Sequence, residues 1–174
     1  KTTIVNCCNH SYFNLAGSGT IRKHSLQIFC DGSDPSSLLT ENDEDLIPTG
    51  SIIDAKGSVL DFSSPTPLVG RLGGGMLKDG IDHNFVIRRQ DSPGMTLAAT
   101  ITFDNLSLSC FTNQPGLQVY TANHFEGDPA PKWGGICLET QRFPDALNHP
   151  DFPNCVLEKG MIYCKKTIYQ LQAF

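Results

Sequence analysis

Apolar and polar residues alternate along much of this chain, and the clearest stretch, residues 97–110, reads Leu-Ala-Ala-Thr-Ile-Thr-Phe-Asp-Asn-Leu-Ser-Leu-Ser-Cys. A period of two sends successive side chains to opposite faces of a sheet, so each half of this stretch is a strand with one face for a core. Asp104-Asn105 interrupts the alternation with turn-forming residues, which predicts a β-hairpin. The same pattern predicts strands over residues 25–29, 84–89, 117–121, 136–139 and 160–172, and residues 2–8 read as a strand already under way. The 16 glycines and 11 prolines punctuate the connections. Residues 31–45, rich in Ser, Asp and Pro, read as a surface loop, and Leu46-Ile47-Pro48-Thr49-Gly50 as a turn set by its proline and glycine. No segment carries the spacing of an amphipathic helix, and no internal repeat is present. Many short strands joined by turns predict an all-β fold, a sandwich or a barrel.

With 174 residues, 39% of them hydrophobic, the chain suits one domain over residues 1–174, with a core that needs no disulfides. A net charge of -5 and a pI near 5.4 argue against nucleic acid as a partner, because phosphates repel such a surface. The densest basic groups, Arg88-Arg89 and Lys165-Lys166, are short and read as solvated strand ends. No apolar run approaches a membrane span and the N-terminus carries no signal-like hydrophobic stretch, so a cytoplasmic setting away from membranes is expected. The 7 cysteines (Cys7, Cys8, Cys30, Cys110, Cys137, Cys155, Cys164) form an odd set without C-x-x-C spacing, which fits buried free thiols better than a disulfide framework or a zinc site. Because Lys1 opens directly into a strand pattern, the start reads as cut.

Two titratable residues stand out as candidate chemistry. His10 lies in Asn9-His10-Ser11-Tyr12-Phe13-Asn14-Leu15, and Glu139 in Gly135-Ile136-Cys137-Leu138-Glu139-Thr140-Gln141-Arg142-Phe143-Pro144-Asp145. Both stand beside apolar residues on strand-like segments, where desolvation tunes an acid or a base. An imidazole titrating near about 6.5 and a carboxylate raised from about 4.3 can exchange protons at neutrality. Plainer roles also fit. His10 could be a buried histidine satisfied by a carbonyl, Glu139 a surface partner of Arg142, and Asp82 a cap on the turn between Gly80 and Asn84. Tyr12, Phe13 and Phe85 read as core before they read as a stacking surface. His83 alternates to the face opposite Asp82. His24, His124 and His149 lack metal-ligand spacing and read as solvated loop residues.

Five strings together carry more information than any of these residues alone: Asn9 to Leu15, Leu46-Ile47-Pro48-Thr49-Gly50, Gly80-Ile81-Asp82-His83-Asn84-Phe85, Pro115-Gly116-Leu117-Gln118-Val119-Tyr120-Thr121-Ala122-Asn123 and Leu138 to Asp145. In order and spacing they resemble the aldose 1-epimerase, or galactose mutarotase, family. The resemblance implies an antiparallel β-sandwich of the galactose mutarotase type with an open sugar cleft, of which this chain corresponds to the C-terminal portion. That family's N-terminal half carries a second histidine in an Asn-His-Leu-His-Gly-Gly-like string and an Asn-Arg pair that holds sugar hydroxyls, and neither string occurs here.

The implied reaction interconverts the α and β anomers of hexoses such as galactose and glucose. Opening the ring removes the proton of the anomeric hydroxyl and protonates the ring oxygen, which takes one base and one acid and requires no metal or redox cofactor. By resemblance Glu139 is the base and His10 the acid, flanking the sugar from opposite edges, while Asp82 and Gln118 hold its hydroxyls. Two alternatives remain: a non-catalytic sugar-binding or regulatory relative with an incomplete site, or a half-sandwich that associates through exposed sheet edges.

Overall fold

The computed structural model describes residues 1–30, 38–74, 77–87, 94–127 and 131–174. Its strands are β1 (Thr3–Ile4), β2 (Tyr12–Phe13), β3 (Ser25–Ile28), β4 (Leu38–Asn42), β5 (Pro48–Asp54), β6 (Thr66–Pro67), β7 (Asp82–Val86), β8 (Thr96–Phe103), β9 (Leu106–Thr112), β10 (Gly116–Tyr120), β11 (Ile136–Gln141), β12 (Val156–Leu157) and β13 (Thr167–Ala173). The hairpin expected at residues 97–110 is β8–β9, turning at Asp104, which takes the left-handed φ of 51°. Every strand pairing among the described residues is antiparallel. A six-stranded sheet has the order β2-β11-β10-β7-β4-β5, a five-stranded sheet β13-β9-β8-β3-β6, and β1 pairs with β12 apart from both.

The alternation explains how the two large sheets share a core. Leu26, Ile28, Ala99, Ile101, Leu108 and Cys110 point inward from the five-stranded sheet; Leu39, Phe85, Leu117, Val119, Ile136 and Leu138 point inward from the other. All belong to one buried cluster, the arrangement of an all-β sandwich. A smaller cluster of Val86, Phe143, Ala146, Phe152 and Cys155 lies at the Gly116 end of β10. It holds residues 143–155 against the six-stranded sheet. Among the described residues helix is limited to short 3-10 turns, Ile21–Lys23, Leu68–Gly70 and a residue at Leu77, and no helix is long and apolar enough to cross a membrane.

Several expectations are corrected. Within the loop expected at residues 31–45, residues 38–42 form strand β4, whose Leu39 is buried in the core; residues 31–37 and the Arg88-Arg89 pair lie outside the described residues. Pro48 and Gly50 belong to strand β5 rather than to a turn. The turn precedes them, where Asp43 Oδ1 accepts the backbone N–H groups of Asp45 and Ile47, each at 2.9 Å, and Leu46 sits at φ 64°. Gly50, at φ 93°, accommodates the irregular β4–β5 register and leaves room for the His149 ring. Of residues 2–8 only Thr3–Ile4 pair, and of 160–172 only those from Thr167 onward. The seven cysteines form no disulfide with one another, but Cys7, Cys8 and Cys164 are exposed rather than buried.

His24 is also corrected: it is fully buried, stacks on Phe103 at 4.7 Å and accepts the Leu15 N–H at Nε2. His149 is half-buried between Asp145 and the Pro48 carbonyl, whereas His124 is exposed as expected. Gly80 is required where it stands. At φ 110° it adjoins the knot in which the Ile81 N–H donates to Thr121 Oγ1 (2.8 Å) and Asn123 Nδ2 donates to the Ile81 carbonyl (3.0 Å), so an added Cβ would run into both side chains.

Two measurements test these constraints. Gly80→Ala should lower stability by about 1–3 kcal/mol from backbone strain alone, read as a shifted urea midpoint; an unchanged midpoint would mean that the turn relaxes freely. Burial lowers the pKa of His24 below its ordinary 6.5, so the folded state binds fewer protons than the unfolded state. The stabilising contribution is therefore whole above about pH 6.5 and is lost as pH falls through that value toward the lower folded pKa. His83, also lowered chiefly by burial, contributes with the same sign. Stability should drop from about pH 7.5 to 5.5, and His24→Gln, which keeps an acceptor for Leu15, should reduce that drop; an equal drop in the variant counts against it.

Candidate functional site

The register of β10 against its two neighbours builds the site. Gln118 stands opposite Asn84 on β7 and Glu139 on β11, while Tyr120 stands opposite Asp82 and Cys137. Opposed residues in a sheet share a face, so Asp82, Asn84, Gln118, Tyr120, Cys137 and Glu139 all project from the face away from the core. His83, Leu117, Val119 and Leu138 project the other way, as alternation predicts for His83. The Gln118 amide donates to Asp82 Oδ1 at 2.7 Å, fixing both side chains. They line a cavity of about 260 Å³ with Asn6, Asn42, Asn84 and Gln141, walled by Leu46 and Pro144.

At the adjoining edge β2 pairs with β11, and the segment leading into β2 carries His10. Its Nε2 lies 3.5 Å from Glu139 Oε1. The contact departs from the expectation of two groups on opposite edges of a sugar, because the two side chains touch one another. Glu139 is only 7% exposed whereas the His10 side chain is 52% exposed, so the carboxylate is the fixed partner. Its other oxygen accepts the Cys8 thiol at 3.2 Å. Burial, then this bond to Glu139, pushes the Cys8 pKa up to about 11. Cys137 Sγ lies 3.3 Å from His10 Nδ1, and burial followed by the Glu139 charge pushes its thiol up to about 12. Both sulfurs therefore carry protons at neutrality.

Tyr12, Tyr120 and Phe125 wall the histidine. The Tyr12 ring lies 5.1 Å from His10 and 4.7 Å from Phe125, and Tyr120 lies 6.2 Å from His10. Tyr12 is 41% exposed, so of the three aromatics expected in the core only Phe85 is fully buried, with Phe13 partly packed against the same cluster.

The structure thus brings His10 to Glu139 and Asp82 to Gln118, and joins the two pairs through the Gln118–Glu139 register. Asn84, Cys8, Cys137 and Gln141 were not singled out from sequence. Period two was the available signal, since Asn84 follows Asp82 by two residues, Gln141 follows Glu139, and Cys8 precedes His10. Asn84 is unusual: it is 1% exposed, and among the described residues neither its Oδ1 nor its Nδ2 has a hydrogen-bond partner. Gly116 leaves the space for this amide, because a Cβ there would come within 2.6 Å of Asn84 Oδ1.

Comparison with known proteins places this geometry in context. The chain is 37% identical to rat (Rattus norvegicus) galactose mutarotase over 98% of its length and 50% of that protein. It is 36% identical to the human protein of the same name, again over 98% and 50%, and 33% identical to aldose 1-epimerase of Escherichia coli K12 over 99% and 52%. The chain therefore spans about half the length of these relatives. Two crystal structures share its fold: an aldose epimerase homologue from C. elegans, with TM-score 0.81, 23% identity and coverage of 99% of this chain and 52% of that one, and galactose 1-epimerase from Lactobacillus acidophilus, with TM-score 0.74, 24% identity and coverage of 99% and 50%. The fold is that of a galactose mutarotase-like sandwich, matched over about half of each structure. A family model described as aldose 1-epimerase matches residues 1–170, and the chain belongs to the aldose 1-epimerase family.

Proposed function

We propose that this chain carries the proton-transfer half of a mutarotase site, with Glu139 as base, His10 as acid, and Asp82 and Gln118 holding a hexose such as galactose or glucose. The observation that carries this reading is the contact of a half-exposed imidazole with a buried carboxylate, one register position from a polar cavity. The anomeric and ring oxygens of a pyranose are bonded to the same carbon. An acid and a base serving them therefore have to sit close together, each about 2.6–3.2 Å from its own oxygen. A histidine and glutamate already in contact need part only slightly to bracket that carbon.

In the forward direction Glu139 takes the proton of the anomeric hydroxyl, the carbon–ring oxygen bond breaks as the aldehyde forms, and the protonated His10 delivers its proton to the departing ring oxygen. Rotation about the bond to the aldehyde carbon presents its other face. The same two groups then work in reverse: His10 removes the proton from the attacking hydroxyl and Glu139 returns one to the carbonyl oxygen. Net protonation is unchanged over the cycle. Asp82 accepts from sugar hydroxyls, and Gln118, whose Oε1 is unpartnered among the described residues, can accept as well while its amide holds Asp82. A second reading is sugar binding without turnover.

Polarimetry on α-D-galactose and α-D-glucose decides between them. Glu139→Gln and His10→Asn should each slow mutarotation by at least about 10²-fold, the usual range for losing a general acid or base. A chain no faster than buffer rejects the catalytic reading for this chain, and a rate that survives both substitutions rejects the assigned residues. Asn84→Leu removes two buried polar atoms that have no hydrogen-bond partner among the described residues, at similar volume, so it should stabilise the sugar-free protein by about 1 kcal/mol while weakening sugar binding; a loss of stability would show that the amide is satisfied in solution.

A further inference from the structure

The thiols around the His10–Glu139 pair have no part in the chemistry above. Cys137 Sγ lies 3.3 Å from His10 Nδ1, His10 Nε2 lies 3.5 Å from Glu139 Oε1, and the donor atoms of His10, Cys137 and Glu139 all fall within 4.8 Å of one another. Cys8 Sγ reaches the other Glu139 oxygen at 3.2 Å. Cation bonds of about 2.3 Å to sulfur and 2.0–2.2 Å to nitrogen or oxygen give edges of roughly 3.4–3.6 Å between a sulfur, a nitrogen and an oxygen in a tetrahedron. One imidazole nitrogen serves one ion, so either His10 contact, Nδ1 to Cys137 or Nε2 to Glu139, already has about that size, and the three donors, all within 4.8 Å, converge on one ion with a small side-chain adjustment. We propose that Cys137, His10 and Glu139 form a binding site for a thiophilic divalent cation, Zn²⁺ or Cd²⁺, with Cys8 as an outer partner that holds the other Glu139 oxygen.

The donor set selects the ion. A thiolate and an imidazole favour a borderline or soft cation over Mg²⁺ or Ca²⁺, which take oxygen ligands. The floor of the site is rigid, because Cys137 and Glu139 are two residues apart on one face of β11 and both are buried. Its mouth is open, because His10 and Cys8 are exposed. Tyr12 and Tyr120 close one side against water. Binding displaces the Cys137 thiol proton, so occupancy rises with pH. A bound ion would hold both His10 and Glu139, and sugar turnover would stop; this consequence, unlike the binding itself, rests on the mutarotase reading.

Titration of the chain with Cd²⁺, followed by the ultraviolet charge-transfer band of Cd²⁺–thiolate bonds, tests binding directly. One cluster ion is expected. Loss of an outer-shell partner alone weakens metal sites by about 10- to 100-fold, so Cys137→Ser and Cys8→Ser should each raise the half-saturating Cd²⁺ concentration at least about tenfold, with Cys7→Ser as the unaffected exposed-thiol control. If Cys137→Ser fails to fold by circular dichroism, the exposed Cys8→Ser and His10→Asn changes carry the test. Equal affinity in Cys8→Ser, His10→Asn and the parent chain overturns the site. In parallel, Zn²⁺ should inhibit mutarotation, with chelator reversing the loss. Cluster binding without inhibition keeps the metal site and overturns its link to His10 and Glu139 catalysis, whereas inhibition that persists in Cys8→Ser and Cys137→Ser at unchanged Zn²⁺ overturns the metal site and leaves the mutarotase reading standing.

Discussion

The antiparallel register of β10 between β7 and β11 is the constraint on which the rest depends. It aligns Asn84, Gln118 and Glu139 in one row and Asp82, Tyr120 and Cys137 in the next. A slip of one residue would send Gln118 into the core and Leu117 into the cleft, so the apolar inner face specifies the register of the polar outer one. Leu117, Val119 and Leu138 are each fully buried, and Phe85 is packed against the same core cluster. Site geometry and sandwich stability are therefore the same property of three strands. No residue of the polar row needs to contribute to stability, and Asn84, with no hydrogen-bond partner among the described residues, opposes it.

That division explains what could be read from the chain. The β8–β9 hairpin was legible because period-two alternation and an Asp-Asn turn are local signals. The opposed faces of Asp82 and His83 were legible for the same reason. Strand β4 was not, because Leu38–Asn42 sits in a run rich in Ser and Asp and becomes a strand only by pairing with β5 and β7. Gly50 shows the same limit. Glycine at φ 93° usually marks a turn, yet here it serves an irregularity inside a strand, and what requires it is the His149 ring about a hundred residues away. Burial of His24 likewise depends on Phe103 and Leu15 meeting around it.

The candidate site divides similarly. His10, Asp82, Gln118 and Glu139 lie in strings that identify a family, and their identities could be named from the sequence. Their relations could not. Neither the contact between His10 and Glu139 nor the two thiols against them follows from linear spacing, since Cys8, His10, Cys137 and Glu139 come from opposite ends of the chain. Metal-ligand spacing rules search within one loop or helix. A cluster assembled across the β2–β11 edge escapes them.

The asymmetry of that edge has a mechanistic meaning. Glu139 is set in the interior of β11, paired on one side with β10, and is held further by Cys8. His10 hangs from the segment before a two-residue strand at the margin of the six-stranded sheet, more than half exposed. Edge segments with few pairing bonds and little burial open at low free energy, whereas a central strand opens only with the whole fold. Glu139 is therefore fixed in position, and His10 is the member free to yield. In the proposed reaction a sugar arriving over Asp82 and Gln118 would meet Glu139 in place and displace His10 outward by the small distance that parts them. Ring opening would then need no rearrangement of the sheet, only the return of one imidazole to an oxygen that shares a carbon with the oxygen under Glu139.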